Sequence, residues 1–330
     1  MTGFTGVSRR PAAAWSATGA ALAAMLALAG PAVAHPAHDT GADTGTAAAV
    51  KGCEPLTKFK PKNFPDGADV DNKFYPLRSG FEYTLQGFAN TGGAPQPHTV
   101  TFFVTDFVKE IAGVKTRVLW DVDSDSGVVA ESELAFQAQD KHGNVWVLGE
   151  YPEEFDENGD FTGAPNTWIT GQEDAQGGVL VPGKPKKGVS FLEGSAPEID
   201  FLDCGKVHRT HEDGVCVPTG CYDDVLVIDE TSPLDPDGGV QRKFYAPGVG
   251  NIKITAVDDP EGETLALTRV RKLDLADRLA ADLEALKLEQ RAYEISPVYQ
   301  TTDPMCLDPS SPDAVAYELT KQLADRGPRA

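Results

Sequence analysis

Beyond Phe74 the chain runs in short apolar-rich stretches divided by Gly, Pro, Asn and Asp, the pattern of strands and tight turns. Residues 81–86, 99–105 and 114–122 form the first three such runs. The clearest alternation covers residues 129–139. Ser132, Leu134, Phe136 and Ala138 fall on one side there, with Glu131, Glu133, Gln137 and Gln139 on the other and Ala135 as that side's apolar member. Period two with one polar side predicts an antiparallel strand wetted on that side. Asp140-Lys141-His142-Gly143-Asn144 reads as a hairpin turn, with Val145-Trp146-Val147-Leu148 as the partner. A Gly- and Pro-rich middle, 151–197, reads as looser. Strands resume at 206–217, 222–229, 240–245, 251–257 and 264–270.

No helical pattern of crossover length sits between these runs, which argues against a parallel sheet. The expected fold is mainly β, an antiparallel meander forming a barrel or an open half-barrel. The period then changes. Leu275, Leu279, Leu283 and Leu286 recur at helical spacing over 273–293, with Asp274–Arg278 and Glu284–Lys287 as side-chain pairs. This predicts a C-terminal amphipathic helix, stopped by Pro297, that packs on the sheet or closes one mouth of a barrel. A second, weaker helix is expected over 313–326.

The beginning of the chain reads as an address. Arg9 and Arg10 precede an apolar run over 20–29 and the small-residue ending Ala32-Val33-Ala34, the layout of a secretory signal peptide cleaved after Ala34. Ser8-Arg9-Arg10 leaves both the general and the twin-arginine export routes open. The run is too short to span a bilayer, and no later stretch is long enough, so no transmembrane span is expected in the mature protein. The domain plan is a leader (1–34), a flexible tether (35–55), a β domain (56–272), the helix (273–296) and a tail (297–330). Export to an oxidising compartment makes the five cysteines, Cys53, Cys204, Cys216, Cys221 and Cys306, disulfide candidates with one left over. Cys216 and Cys221 bracket a turn they could bridge, and Cys53 and Cys306 flank the domain and could tie its ends.

Charge and motifs narrow the function classes. Against 29 Lys and Arg stand 50 Asp and Glu, a net charge of −21, and no basic run marks a nucleic-acid surface. Asp121, Asp123 and Asp125 alternate before Ser126-Gly127, and Asp156, Asn158 and Asp160 repeat the spacing; both are calcium candidates. Gly127 stands one place late for a helix-loop-helix calcium loop and Ser132 replaces its final Glu, so ordinary turn chemistry is the competing explanation. His35, at the expected mature terminus, suggests a copper brace completed by His98, His142, His208 or His211, although a flexible tether is a poor mount. No nucleophile elbow, zinc-protease or dinucleotide motif is present. Gly178-Val179-Leu180-Val181-Pro182-Gly183-Lys184 spaces like a phosphate loop, but Pro185 stands where magnesium needs a hydroxyl. Phe103, Trp120, Phe136, Trp146 and Tyr245 are expected in the core.

Several segments resemble an uncharacterised family of exported bacterial β-rich proteins. They are Asp71-Asn72 with Tyr75-Pro76-Leu77, Gly80 and Tyr83; Ala138-Gln139-Asp140-Lys141 with Gly143-Asn144-Val145-Trp146 and Gly149-Glu150; and Lys243 with Tyr245-Ala246-Pro247-Gly248-Val249-Gly250. The resemblance implies export and a β fold, and carries over no catalytic residue. The first functional expectation is a secreted, non-catalytic β domain that binds a small apolar ligand or acts at the envelope. The alternatives are a calcium-stabilised extracellular module and an exported hydrolase or copper enzyme without a visible motif.

Overall fold

The computed structural model describes residues 53–90, 94–309 and 311. The expected leader, nearly all of the tether, His35 and the second C-terminal helix lie outside the described residues. Twelve antiparallel strands close into one barrel: β1 (Phe81–Ala89), β2 (Gln96–Ile111), β3 (Val114–Asp125), β4 (Val128–Gln139), β5 (Val145–Phe155), β6 (Gln176–Val181), β7 (Ser190–Ala196), β8 (Phe201–Glu212), β9 (Val225–Thr231), β10 (Val240–Ala246), β11 (Gly250–Val257) and β12 (Thr264–Lys272). Each strand pairs with its chain neighbours, and β12 pairs with β1 to complete the ring.

The Gly- and Pro-rich middle is not loose, because it supplies β6 and β7. A Cβ at Gly177 would lie 2.5 Å from the Val147 carbonyl oxygen, and one at Gly178 would lie 2.3 Å from that of Leu192. Glycine there permits a close strand approach, which its composition alone disguises as turn. The stretch expected as one strand over 206–217 is β8 followed by a separate hairpin, Val215–Val217 with Gly220–Tyr222, so the next strand starts at Val225.

Directly opposed residues in an antiparallel ladder share a face. Leu85, Val100, Asp123 and Glu131 therefore lie on one side of the wall, and Tyr83, Phe102, Asp121 and Glu133 line up beside them. All eight are buried, and this is the inner side. The side of 129–139 expected to face water faces the lumen instead, with Glu131 and Glu133 2% exposed and Gln137 0%. The opposite side, Leu134 and Phe136, is also fully buried, under the C-terminal segment. Of the aromatics expected in the core, Phe136, Trp146 and Tyr245 are buried. Phe103 and Trp120 are half-buried and stack on each other with ring centroids 4.6 Å apart.

The helix α1 (Leu275–Ile295) begins at Asp274, whose side chain accepts from the Asp277 amide at 3.0 Å. It lies on the outer wall and closes no mouth. Its buried stripe is not the leucine row read from sequence: Leu275 and Leu283 are 47% and 54% exposed, whereas Ala281, Ala285, Leu288 and Ala292 are buried with Asp282 and Glu289. Small side chains let the helix sit close to the wall, and ion pairs fix it there. Lys109 on β2 pairs with Glu289 at 3.0 Å, and Glu153 on β5 accepts two bonds from Arg291 at 2.6 and 2.8 Å. Arg278 reaches Asp106 rather than Asp274, while the expected Glu284–Lys287 pair forms at 2.7 Å.

Cys216 bridges Cys221 across its turn, and Cys53 bridges Cys204, leaving Cys306 free and exposed. Cys53 therefore ties the N-terminal segment to β8 rather than to Cys306. That segment runs across one end of the barrel, where Phe59 and Phe64 pack edge-on against Trp146. The Asn72 side chain accepts from the Phe74 and Tyr75 amides at 2.7 and 3.1 Å and donates to the Gly143 carbonyl at 2.7 Å. This turn drives Tyr75 into the barrel end against Tyr245.

Candidate functional site: an acidic lumen

The lumen has two chemically different walls. On β1, β2, β11 and β12, Tyr83, Leu85, Val100, Phe102, Ile254 and Leu267 present an apolar surface, with the Tyr83 and Phe102 rings stacked at 4.8 Å. On β3 to β5 and β7 to β9, eight buried carboxylates face inward: Asp121, Asp123, Glu131, Glu133, Glu150, Glu193, Asp203 and Glu230. Asp121 stands directly across the β3–β4 ladder from Glu133, and Asp123 from Glu131. Like charges opposed in this way repel, and burial strengthens the repulsion.

Lys243 on β10 is the cation these acids share. It is ion-paired with Glu230, and its ammonium also acts on Asp121, Glu150, Glu193 and Asp203. Burial works against its charge, but Glu230 and Glu193 hold its pKa above the usual lysine value. The carboxyls move the other way. Burial pushes Asp121 up to about 7, with the Val122 amide and Lys243 pulling against it. Burial and Glu230 together raise Asp203 to about 7. Burial, then their acidic neighbours, hold Asp123, Glu131, Glu133 and Glu193 well above the carboxylate range. Burial raises Glu150 as well, although Trp168 donates its indole N–H to it at 2.9 Å.

Hydrogen bonding is incomplete. Neither carboxylate oxygen of Asp123 or Glu193 has a hydrogen-bond partner, and one oxygen each of Asp121, Glu133, Glu150 and Asp203 also lacks one. Gly205 makes room for one of these acids, since a Cβ there would lie 2.3 Å from Glu193 Oε1 and 2.4 Å from the Phe191 ring.

At one end of the barrel His98 holds Asp125 through Nδ1 at 2.8 Å and Glu263 through Nε2 at 3.2 Å. Burial opposes its charge, but these two partners push its pKa up to about 10, so it is a buried imidazolium at neutral pH. The first calcium candidate is thus divided. Asp121 and Asp123 lie within a strand and face the lumen, while Asp125 is engaged by His98. In the second, one Asp156 oxygen accepts from the Asn158 and Asp160 amides, both at 2.9 Å, in an exposed turn. Among the described residues no three His, Cys, Asp or Glu side chains are grouped as metal ligands. His208 and His211 go to different carboxylates, Asp229 and Asp224, and His142 is exposed in its hairpin.

Glu193, Asp203 and Glu230 escaped the sequence reading, and Glu150 and Lys243 entered it only through the family resemblance, with no role attached. Only the first hairpin carried a signal: a turn at Ser126-Gly127 sets Asp121 against Glu133 and Asp123 against Glu131, an arrangement an open, wetted sheet has no reason to keep.

Fold and site together define an up-and-down β-barrel with a charged interior and disulfides suited to an extracytoplasmic, oxidising compartment. No helix among the described residues is long and apolar enough to cross a membrane. No protein-family model matches the chain, and no curated protein does. Two solved structures are similar to it. A Bacteroides fragilis protein described as exported, with a YmcC-like fold, shares 14% identity over 61% of this chain and 100% of its own, with a TM-score of 0.33. A Parabacteroides distasonis protein described as a lipoprotein shares 12% identity over 63% of this chain and 100% of its own, with a TM-score of 0.35. Likeness at this level carries no statement of function.

Proposed function

We propose that this chain is an extracytoplasmic binding barrel whose lumen takes a small amphipathic cation, a protonated amine carrying an apolar body. The observation that carries this reading is that Asp123 and Glu193, on separate strands of the acidic wall, are each fully buried and without a hydrogen bond to either oxygen. Buried polar groups in native proteins are nearly always paired, and an unpaired buried carboxylate is costly. A cation satisfies them, and the apolar wall of Leu85, Val100 and Phe102 gives the rest of the ligand a surface. Twelve strands enclose a wider interior than the eight that already suffice for one small ligand. The purely apolar ligand expected from the aromatic residues matches only half of this lining.

Isothermal titration of octylammonium into the folded protein, with octanol as the neutral isostere and calcium as the inorganic cation, tests the proposal. Octylammonium should bind more tightly than octanol, release protons, and bind more tightly at pH 8 than at pH 5. The release follows because a cation lowers the raised carboxyl pKa values. Asp123→Asn combined with Glu193→Gln should weaken it by ~10-fold or more. Octanol binding as tightly as octylammonium, or calcium displacing it at lower concentration, would overturn the assignment.

A further inference from the structure

The barrel end crossed by the N-terminal segment carries a concavity that has none of the lumen carboxylates among its lining residues. It has a volume of about 470 Å³, with Leu56, Pro182, Val189 and Val207 as its apolar surface and Lys184 and Lys186 at its edge. No carboxylate lines it, in a chain where acids outnumber Lys and Arg 50 to 29. Both lysines are exposed, and neither has an ion-pair partner among the described residues. Lys58 and Lys187, also exposed, stand in the same two segments. The acidic turns at residues 156–160, 235–237 and 258–263 all lie at the other end of the barrel.

The groove is built rather than incidental. The Cys53–Cys204 disulfide and the bond from the Leu192 amide to the Glu54 carbonyl, 3.0 Å, pin the segment that contributes Leu56. The loop opposite is held by the Gly188 amide on the Val207 carbonyl at 2.7 Å, and by the Val207 amide on the Val189 carbonyl at 2.9 Å. The Gly183 amide is held by the Asn144 side chain at 2.9 Å. Walls fixed in this way hold the apolar lining beside two exposed lysines that have no ion-pair partner among the described residues. A cavity of this size falls in the range of small-molecule sites.

We propose that this groove binds an anionic amphiphile, with a phosphate or carboxylate head on Lys184 and Lys186 and an apolar tail along Leu56, Pro182, Val189 and Val207. The chemistry is the reverse of the lumen's, and the assignment does not rest on the lumen reading.

The test titrates decyl phosphate, kept below its micellar concentration, against decanol and inorganic phosphate. The proteins are wild type, Lys184→Glu/Lys186→Glu and Val189→Trp, each checked for an unchanged far-ultraviolet spectrum and melting point. Decyl phosphate should bind saturably, at least ~10-fold more tightly than either decanol or inorganic phosphate, because head and tail each contribute. The lysine variant should lose at least ~10-fold by removing the head contact, and Val189→Trp, which fills the floor, a similar factor. Affinity should fall on adding salt. No saturable binding, an unchanged affinity in the lysine variant, or decanol or phosphate matching decyl phosphate would overturn the proposal. Flotation with phosphatidate vesicles identifies the source: a protein that floats takes its amphiphile from a membrane, whereas one that stays below yet binds decyl phosphate takes it from solution. Both outcomes support the site.

Discussion

Lys243→Met removes the cation around which the lumen acids are arranged, and its cost should depend on pH in a way that no packing defect would. In the Lys243–Glu230 pair the side chains are 1% and 6% exposed, so little water can replace the lost ammonium. Breaking a buried pair by removing one partner costs roughly 3–5 kcal/mol. Asp121, Glu150, Glu193 and Asp203 also lose a favourable neighbour, which places the expected loss toward the upper part of that range at pH 8. Glu230 is already raised by burial, with Lys243 the main opposing influence, and without that opposition its pKa rises further. At pH 5 a proton then neutralises Glu230 in place of the lysine. What remains is the cost of burying a neutral acid, about 1–3 kcal/mol. Urea unfolding followed by tryptophan fluorescence and by far-ultraviolet circular dichroism, at both pH values, measures the difference. The variant should lose about 5 kcal/mol at pH 8 and about half that at pH 5. Adding Glu230→Gln should recover most of the loss at pH 8. An equal loss at the two pH values, or a larger one at pH 5, would refute a lumen organised by this charge.

The wild-type protein should itself be most stable in mild acid. Asp121 and Asp203, near 7 in the fold and near 4 unfolded, keep protons the unfolded chain has released, so stability falls as pH rises from about 4 to about 7. His98, raised to about 10, contributes stability that is complete below about 6.5 and is lost as pH rises through 10, which extends the same slope; melting points at pH 5, 7 and 9 should therefore decrease in that order, and a rise from 5 to 7 would contradict the assignment. Gly205→Ala should cost about 1–3 kcal/mol in urea unfolding, because its methyl meets Glu193 and Phe191, whereas Gly188→Ala, which meets nothing but has a positive φ of 80°, should cost no more than about 1–2 kcal/mol of backbone strain. In the chain-entropy account, opening the Cys53–Cys204 bridge, with a separation of 151 residues, costs up to ~5 kcal/mol, and opening Cys216–Cys221, with a separation of 5, costs ~2. Paired Cys→Ser variants in urea should keep that order.

The barrel was largely legible and its inside was not. Alternation, short connections and the lack of crossover helices specify an antiparallel meander, because those features are local. Which side of a strand faces inward is a tertiary property. Glu131, Glu133 and Gln137 look like a wetted side until closure places them in the lumen and α1 covers Leu134 and Phe136 on the other. The helix misled for the same reason. Leucine rows mark apolar surface, but the wall accepted the thinner alanine stripe, which let Glu289 reach Lys109. Gly177 and Gly178 read as loop because a residue without a side chain does not announce whether it serves a turn or a close approach. Lys243 and Glu193 lie 50 residues apart in sequence, and only the inward curvature of the sheet from β7 to β10 brings their charges together.

Stability alone does not account for this lumen. Replacing buried ionic groups by apolar ones of similar volume is often neutral or stabilising, and the opposite wall shows that Leu, Val and Phe are accommodated in the same barrel. Nor is the acidity a by-product of an acidic chain. Exposed acids cost almost nothing, whereas Asp123 and Glu193 each take up a buried position without a partner, and Gly205 gives up its side chain beside one of them. Specifying the fold does not require them either, since the ladder registers join apolar pairs such as Leu85 with Val100 on the same inner side. Burial and mutual repulsion hold most of this ring of acids protonated beside a single lysine, and a cation of the proposed kind would take the place of those protons rather than of fixed ion pairs. The buried, unpartnered carboxyls are therefore the property that the proposed binding role would explain and a purely structural role does not.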